Sequence, residues 1–150
     1  METIKTRDFG EVTVSKDSLI TFKKPIFGFE DLKEFYLLQL EEPSSFYLLQ
    51  SKEEYNISFI LTEPRQFISD YVLDIDDNDA GLLEFTDHSD LIDFAIVTIP
   101  ENIEEMTMNI LGPVVINTKN RFGIQSISNC THYGTKCRLF LPQAVAVETR

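Results

Sequence analysis

Hydrophobic residues in this sequence alternate with polar ones over short stretches, and turn-forming residues interrupt the alternation about every ten positions. Side chains two apart share one face of a strand, so this pattern commits the chain to many short strands, each with one buried side. Ile4-Lys5-Thr6 and Glu11-Val12-Thr13-Val14 flank Asp8-Phe9-Gly10, where the glycine can supply the positive φ of a tight hairpin. Further strands are expected at residues 18–22, 46–50, 57–61, 96–99, 114–116 and 122–127, the last two joined by the polar turn Asn117-Thr118-Lys119-Asn120-Arg121. Helix is confined to short pieces, at residues 30–35, near 79–83 and at 101–105. The expected fold is all-β and mainly antiparallel, a single β-barrel-like domain with a few short helical insertions. A chain of 150 residues suits one domain. Its expected limits are residues 1–142, with 143–150 as a C-terminal tail or an extra strand.

Charge excludes several function classes. The formal net charge is −12, and it is unevenly spread. Residues 53–118 hold one basic residue, Arg65, against 15 acidic ones, a net −14, whereas residues 119–150 hold five basic groups against Glu148. So acidic a surface repels phosphate backbones and anionic lipid headgroups, which argues against direct nucleic-acid or membrane partners. The N-terminus lacks the basic and apolar regions of a signal peptide, and the longest apolar runs, such as Phe94-Ala95-Ile96-Val97, are too short to span a bilayer. The expected location is the cytoplasm.

No arrangement of residues carries recognisable catalytic chemistry. Asp74, Asp76, Asp77 and Asp79 lie in one polar run, but a calcium loop starting at Asp74 would need Gly where Asp79 stands and Glu where Phe85 stands. A solvated acidic loop accounts for the spacing. Cys130, His132 and Cys137 lie close in sequence, yet a structural zinc site needs four ligands. If Tyr133-Gly134 is a two-residue hairpin turn, Cys130 faces Cys137 at a distance a disulfide could bridge, and a reducing cytoplasm favours two packed thiols. Glycine-rich phosphate loops are absent, so no nucleotide cofactor, and no metal or other cofactor, is expected. Pro25-Ile26-Phe27-Gly28-Phe29 either packs its rings into the barrel mouth or exposes them as a binding hot spot.

Several segments together resemble the flagellar assembly factor FliW family. They are Phe9-Gly10-Glu11-Val12, Ile20-Thr21-Phe22, Pro25-Ile26-Phe27-Gly28-Phe29, Phe35-Tyr36-Leu37-Leu38 and Phe46-Tyr47-Leu48-Leu49-Gln50-Ser51. Phe59-Ile60-Leu61-Thr62-Glu63-Pro64, Ala95-Ile96-Val97-Thr98-Ile99 and the run from Met108 to Asn117 continue the match, which spans about residues 3–140. The resemblance implies a non-enzymatic, β-barrel-like protein that binds newly made flagellin in the cytoplasm and antagonises the translational regulator CsrA. Repression of flagellin mRNA translation is thereby relieved, and the free protein is expected to be a monomer. A basic RNA-binding partner suits the acidic middle of the chain, where Asp74, Asp76, Asp77 and Asp79 would steer association; the same charges could serve solubility alone. An amphipathic helical partner would need apolar contacts, for which Phe27, Phe29, Met106, Met108 and Leu111 are candidates. Pro113 is expected to limit its strand to an edge or an end. Two other readings remain open at this point, a small barrel binding a flavin or other ligand, and an acidic nucleic-acid mimic that inhibits some other basic protein.

Overall fold

The computed structural model describes residues 1–40 and 45–140. The final segment of the sequence, including the expected tail at 143–150, lies outside the described residues.

A hairpin opens the chain. Strands β1 (Glu2–Lys5) and β2 (Glu11–Val14) pair antiparallel, with Lys5 opposite Glu11 and Gly10 at φ 66°. Thr6 closes the turn: its Oγ1 donates to the Gly10 carbonyl at 2.7 Å and accepts the Phe9 N–H at 3.0 Å.

A barrel follows. Strands β3 (Leu19–Lys24), β4 (Glu34–Gln39), β5 (Phe46–Ser51), β6 (Ser58–Thr62), β7 (Leu91–Thr98), β8 (Thr107–Asn117) and β9 (Phe122–Gln125) form a meander, each antiparallel to the next. Six such steps, an even number, leave the first and last strands pointing the same way. Accordingly β3 and β9 close the barrel as a parallel pair, Thr21 beside Phe122 and Phe22 beside Gly123. At this seam a Cβ on Gly123 would stand 2.9 Å from Ile20 Cγ2 and 3.3 Å from the Phe22 ring, so a larger residue would press on buried side chains of β3. A two-residue strand, β10 (Cys137–Arg138), adds to the start of β8.

The interior is filled. Ile20, Phe35, Leu49, Leu61, Phe94 and Val114 are fully buried there, so the barrel is a packed core and not a ligand chamber. Two further apolar clusters lie on the outer surface, because alternate residues of the same strands face out. Val97, Met106 and Met108 pack with Tyr71 and Leu139, while Val115 and Ile124 pack under Leu83. The acidic segment is the cover of this second cluster. Leu73, Ile75 and Phe85 turn towards the barrel, and the intervening Asp74 and Asp76 turn to solvent.

Four sequence expectations need correction. Residues 30–35 are not helical: turns from Ile26 to Phe29 and from Phe29 to Leu32 lead into β4 at Glu34. There the burial of Phe35 in the barrel outweighs any local helical preference. The strands expected at 96–99 and 114–116 fall in longer ones, β7, which ends at Thr98, and β8. Pro113 lies inside β8, not at its end. Residues 110–113 bulge out opposite Ala95, since pairing jumps from Phe94–Val114 to Ile96–Asn109, and a proline is tolerated where the ladder has no N–H to lose. Lastly, Tyr133-Gly134 is not a hairpin turn. The Tyr133 ring stacks on Tyr71 at 5.1 Å and its hydroxyl accepts the Val72 N–H, which draws this segment onto the barrel cover. Cys137 therefore pairs with Met108 instead of Cys130, and both cysteines are free thiols. Burial raises the Cys137 pKa, the opposite of what a reactive thiolate needs.

The short helix α1 (Asp77–Gly81) falls close to the expected position, capped by the Asp76 carboxylate accepting the Asn78 N–H at 2.8 Å. A 3-10 turn occupies Ile103–Glu105.

Candidate protein-binding face

Residues 126–129 run on from β9 in extended form and carry the geometry of this face. On one side Ser126 N–H and Ser128 N–H donate to the carbonyls of Pro113 and Leu111. On the other, Ser126 Oγ donates to Asp79 Oδ2 at 2.6 Å, and Asn129 N–H donates to the Asp74 carbonyl at 2.8 Å. The acidic segment and the β8 bulge thus flank one extended stretch. Ser126 and Ser128 are buried, so Ile127 between them points outwards and is 54% exposed.

The loop after β3 is tied to the same place. Buried Gln125 accepts the Phe27 N–H on its Oε1 at 2.8 Å and donates from Nε2 to the Gly112 carbonyl at 2.9 Å. The Phe27 backbone is therefore tied near the bulge, and the residue is 46% exposed. Lys24, at the base of this loop, meets both carboxylate oxygens of Asp79 at 2.9 Å.

The sequence candidates separate on this geometry. Phe27 is exposed on the loop that Gln125 ties to Gly112, and Leu111, next to Gly112 in sequence, is half-buried. Phe29 does not stay free; it is half-buried with its ring edge-on to Phe59 at 5.1 Å. Met106 and Met108 are core residues, and Met108, fully buried, presents no surface to a partner. Asp74, Asp76 and Asp77 are exposed, but Asp79 is a structural anion. Burial pushes its carboxyl pKa up, yet the Ser126 hydroxyl and the Lys24 ammonium together outweigh that and hold it below the usual carboxylate value. Ile127 is an exposed apolar residue that the sequence reading did not single out. The alternation Ser126-Ile127-Ser128, two small polar residues around an isoleucine, was the available signal.

Among the described residues no group of three or more His, Cys, Asp and Glu side chains could hold a metal, and no helix is long and apolar enough to cross a membrane. A groove of about 780 Å³ lies between the hairpin and β4, lined by Phe9, Val12, Leu38 and Leu48 among others. Among the described residues no cationic side chain lines it, and a phosphate-bearing flavin would find no counter-charge from those residues there.

Comparison with known proteins follows the same outline. The family model described as FliW protein matches residues 3–139. The chain belongs to the FliW family. A FliW relative from Caldicellulosiruptor bescii, named flagellar assembly factor FliW, is 37% identical over 137 residues, covering 91% of this chain and 90% of the relative. Another of that name, from Desulfitobacterium hafniense, is 38% identical over 146 residues, covering 97% and 95%. A crystal structure of the flagellar assembly factor FliW superposes with a TM-score of 0.86 at 35% identity, over 95% of this chain and 99% of that one. The seven-stranded barrel is thus the FliW fold.

Proposed function

We propose that this protein is a flagellar assembly factor that works by binding other proteins, without catalysis, in the cytoplasm. It binds newly made flagellin, and when flagellin is scarce it binds the basic regulator CsrA and lifts repression of flagellin mRNA. The observation that carries this reading is membership of the FliW family over residues 3–139. The acidic cover supports it, because exposed Asp74, Asp76 and Asp77 attract a basic protein and repel RNA near the contact.

The test is a gel-shift assay with CsrA bound to a flagellin leader RNA. Adding this protein is expected to free the RNA, and adding flagellin afterwards to restore the RNA complex. RNA that stays bound to CsrA at saturating amounts of this protein would overturn the reading.

A further inference from the structure

We infer that the groove between the N-terminal hairpin and β4 is a strand-addition site, whose occupant is an extended, uncharged peptide segment of another protein that pairs its backbone with the open edge of β4. The inference concerns residues outside the acidic cover and does not rest on the proposed function.

Three observations lead to it. First, β4 outruns one of its neighbours. On one side it pairs with β5 as far as Gln39, opposite Tyr47; on the other, β3 begins only at Leu19, opposite Tyr36. Backbone groups alternate in direction along a strand. The Leu40 N–H donates to the Phe46 carbonyl on the β5 side, and the Lys33 carbonyl accepts the Phe22 N–H on the β3 side. Leu37 and Gln39 are in phase with Lys33, so their backbone faces the side where β3 is missing. The chain before Leu19 does not replace it, because Lys16–Ser18 is a 3-10 turn in which the Ser18 N–H donates back to the Ser15 carbonyl. Among the described residues, the Leu37 carbonyl and both backbone groups of Gln39 have no hydrogen-bond partner.

Secondly, this edge borders a space that a strand can enter. Residues 37–40 line the groove of about 780 Å³ together with Phe9, Val12 and Thr13 of the hairpin. A strand lying along the edge would send every second side chain among Leu38, Val12 and Phe9, which gives such a site its selectivity for alternating sequences. Thirdly, the edge is unguarded. Sheet edges are commonly protected by a charge, a proline or a bulge. Leu37-Leu38-Gln39-Leu40 holds no charge and no proline, and its pairing with β5 is regular. Among the described residues no charged side chain lines the groove, although the chain carries a net charge of −12. A charged residue entering it would be desolvated without a partner, so the occupant is uncharged.

The probe is a capped heptapeptide of alternating threonine and valine, added to the isotope-labelled full chain and followed by amide chemical shifts and hydrogen exchange. It is expected to bind one-to-one, with the largest shifts in residues 37–40 and with exchange of the Gln39 amide slowed about tenfold or more at saturation. Two further peptides carry N-methyl groups on alternate amides, one on each set. At least one of them should bind about tenfold or more weakly, because an edge-facing N–H has been removed. Gln39→Pro removes the donor from the protein side and is tolerated by the fold, since that N–H bonds nothing within the sheet; it should weaken binding to a similar degree. Ile103→Ser, at an exposed isoleucine (58%) outside the groove, should stay within about twofold. Thermal melts establish that each variant is folded. Shifts absent from residues 37–40 at millimolar peptide overturn the inference, and so does equal binding of both methylated peptides and the parent. Protection of Gln39 that appears without peptide and rises with protein concentration, in step with dimer formation in sedimentation, assigns the groove to a second copy and likewise overturns it.

Discussion

Gln125, buried in β9, accepts the backbone N–H of Phe27 at 2.8 Å, so the backbone of an exposed aromatic residue is anchored by a side chain that solvent cannot reach. Gln125→Leu keeps the volume and removes both hydrogen bonds, leaving the Gly112 carbonyl without its donor. The expected cost is about 1–3 kcal/mol, the range for a buried polar group that loses its partner. Urea unfolding measures it. Hydrogen exchange should show the Phe27 amide opening faster in the variant while the amides of β5 and β6 keep their protection.

Asp79 gives a pH signature. Its folded pKa lies below the ordinary 3.8, so the native state binds that proton less readily than the unfolded chain. The stabilisation is full above the unfolded value and drains away as the pH falls below about 4 through the folded value. Asp79→Ala leaves buried Ser126 Oγ unpaired and is expected to cost about 1–3 kcal/mol at neutral pH. The contribution of Lys24 is the smaller part, since that side chain is roughly one-third exposed. Stability curves of wild type and variant should converge as the pH drops below 4; a gap of constant size down to pH 2 would contradict the assignment.

On the proposed function, charge steering is expected to involve three carboxylates and not four, because Asp79 is already paired with Lys24. Converting Asp74, Asp76 and Asp77 together to asparagine should slow association with CsrA by about tenfold at low salt and flatten the salt dependence, with dissociation little changed. Stopped-flow fluorescence reads both rates. An on-rate equal to wild type at low salt would assign these charges to solubility alone.

Barrel closure depends on Gly123. Gly123→Ala sets a methyl group 2.9 Å from Ile20 Cγ2 and 3.3 Å from the Phe22 ring, both in the packed interior. The Ile20 and Phe22 side chains must shift in a packed interior to admit it, at an expected cost of about 1–3 kcal/mol. Gly134→Ala, at a position with open space around it, is the matched control and should change little.

The barrel was legible in the sequence because alternation encodes a one-sided strand directly, and residues 46–50 and 57–61 fall almost entirely within β5 and β6. Where alternation is broken, as around Gly112-Pro113, the strand continues through a bulge whose N–H groups are satisfied by the Asn109 side chain, accepting from Leu111 and Gly112. That compensation is tertiary and leaves no local mark. The methionines show the same limit. Met106 and Met108 suit an adaptable surface in composition, but a cover made by Tyr71 and Leu139, distant in sequence, buries them. In the acidic run the many carboxylates masked a second alternation, Leu73-Asp74-Ile75-Asp76, which seats the segment on the barrel and turns Asp74 and Asp76 to solvent.

Isothermal titration of the purified protein with flagellin and, separately, with CsrA from the same organism tests the central claim most directly. The account predicts submicromolar binding to each, about −8 kcal/mol or stronger, and displacement of CsrA when flagellin is added. Absence of heat with both partners, from a protein whose thermal melt shows it folded, would contradict it.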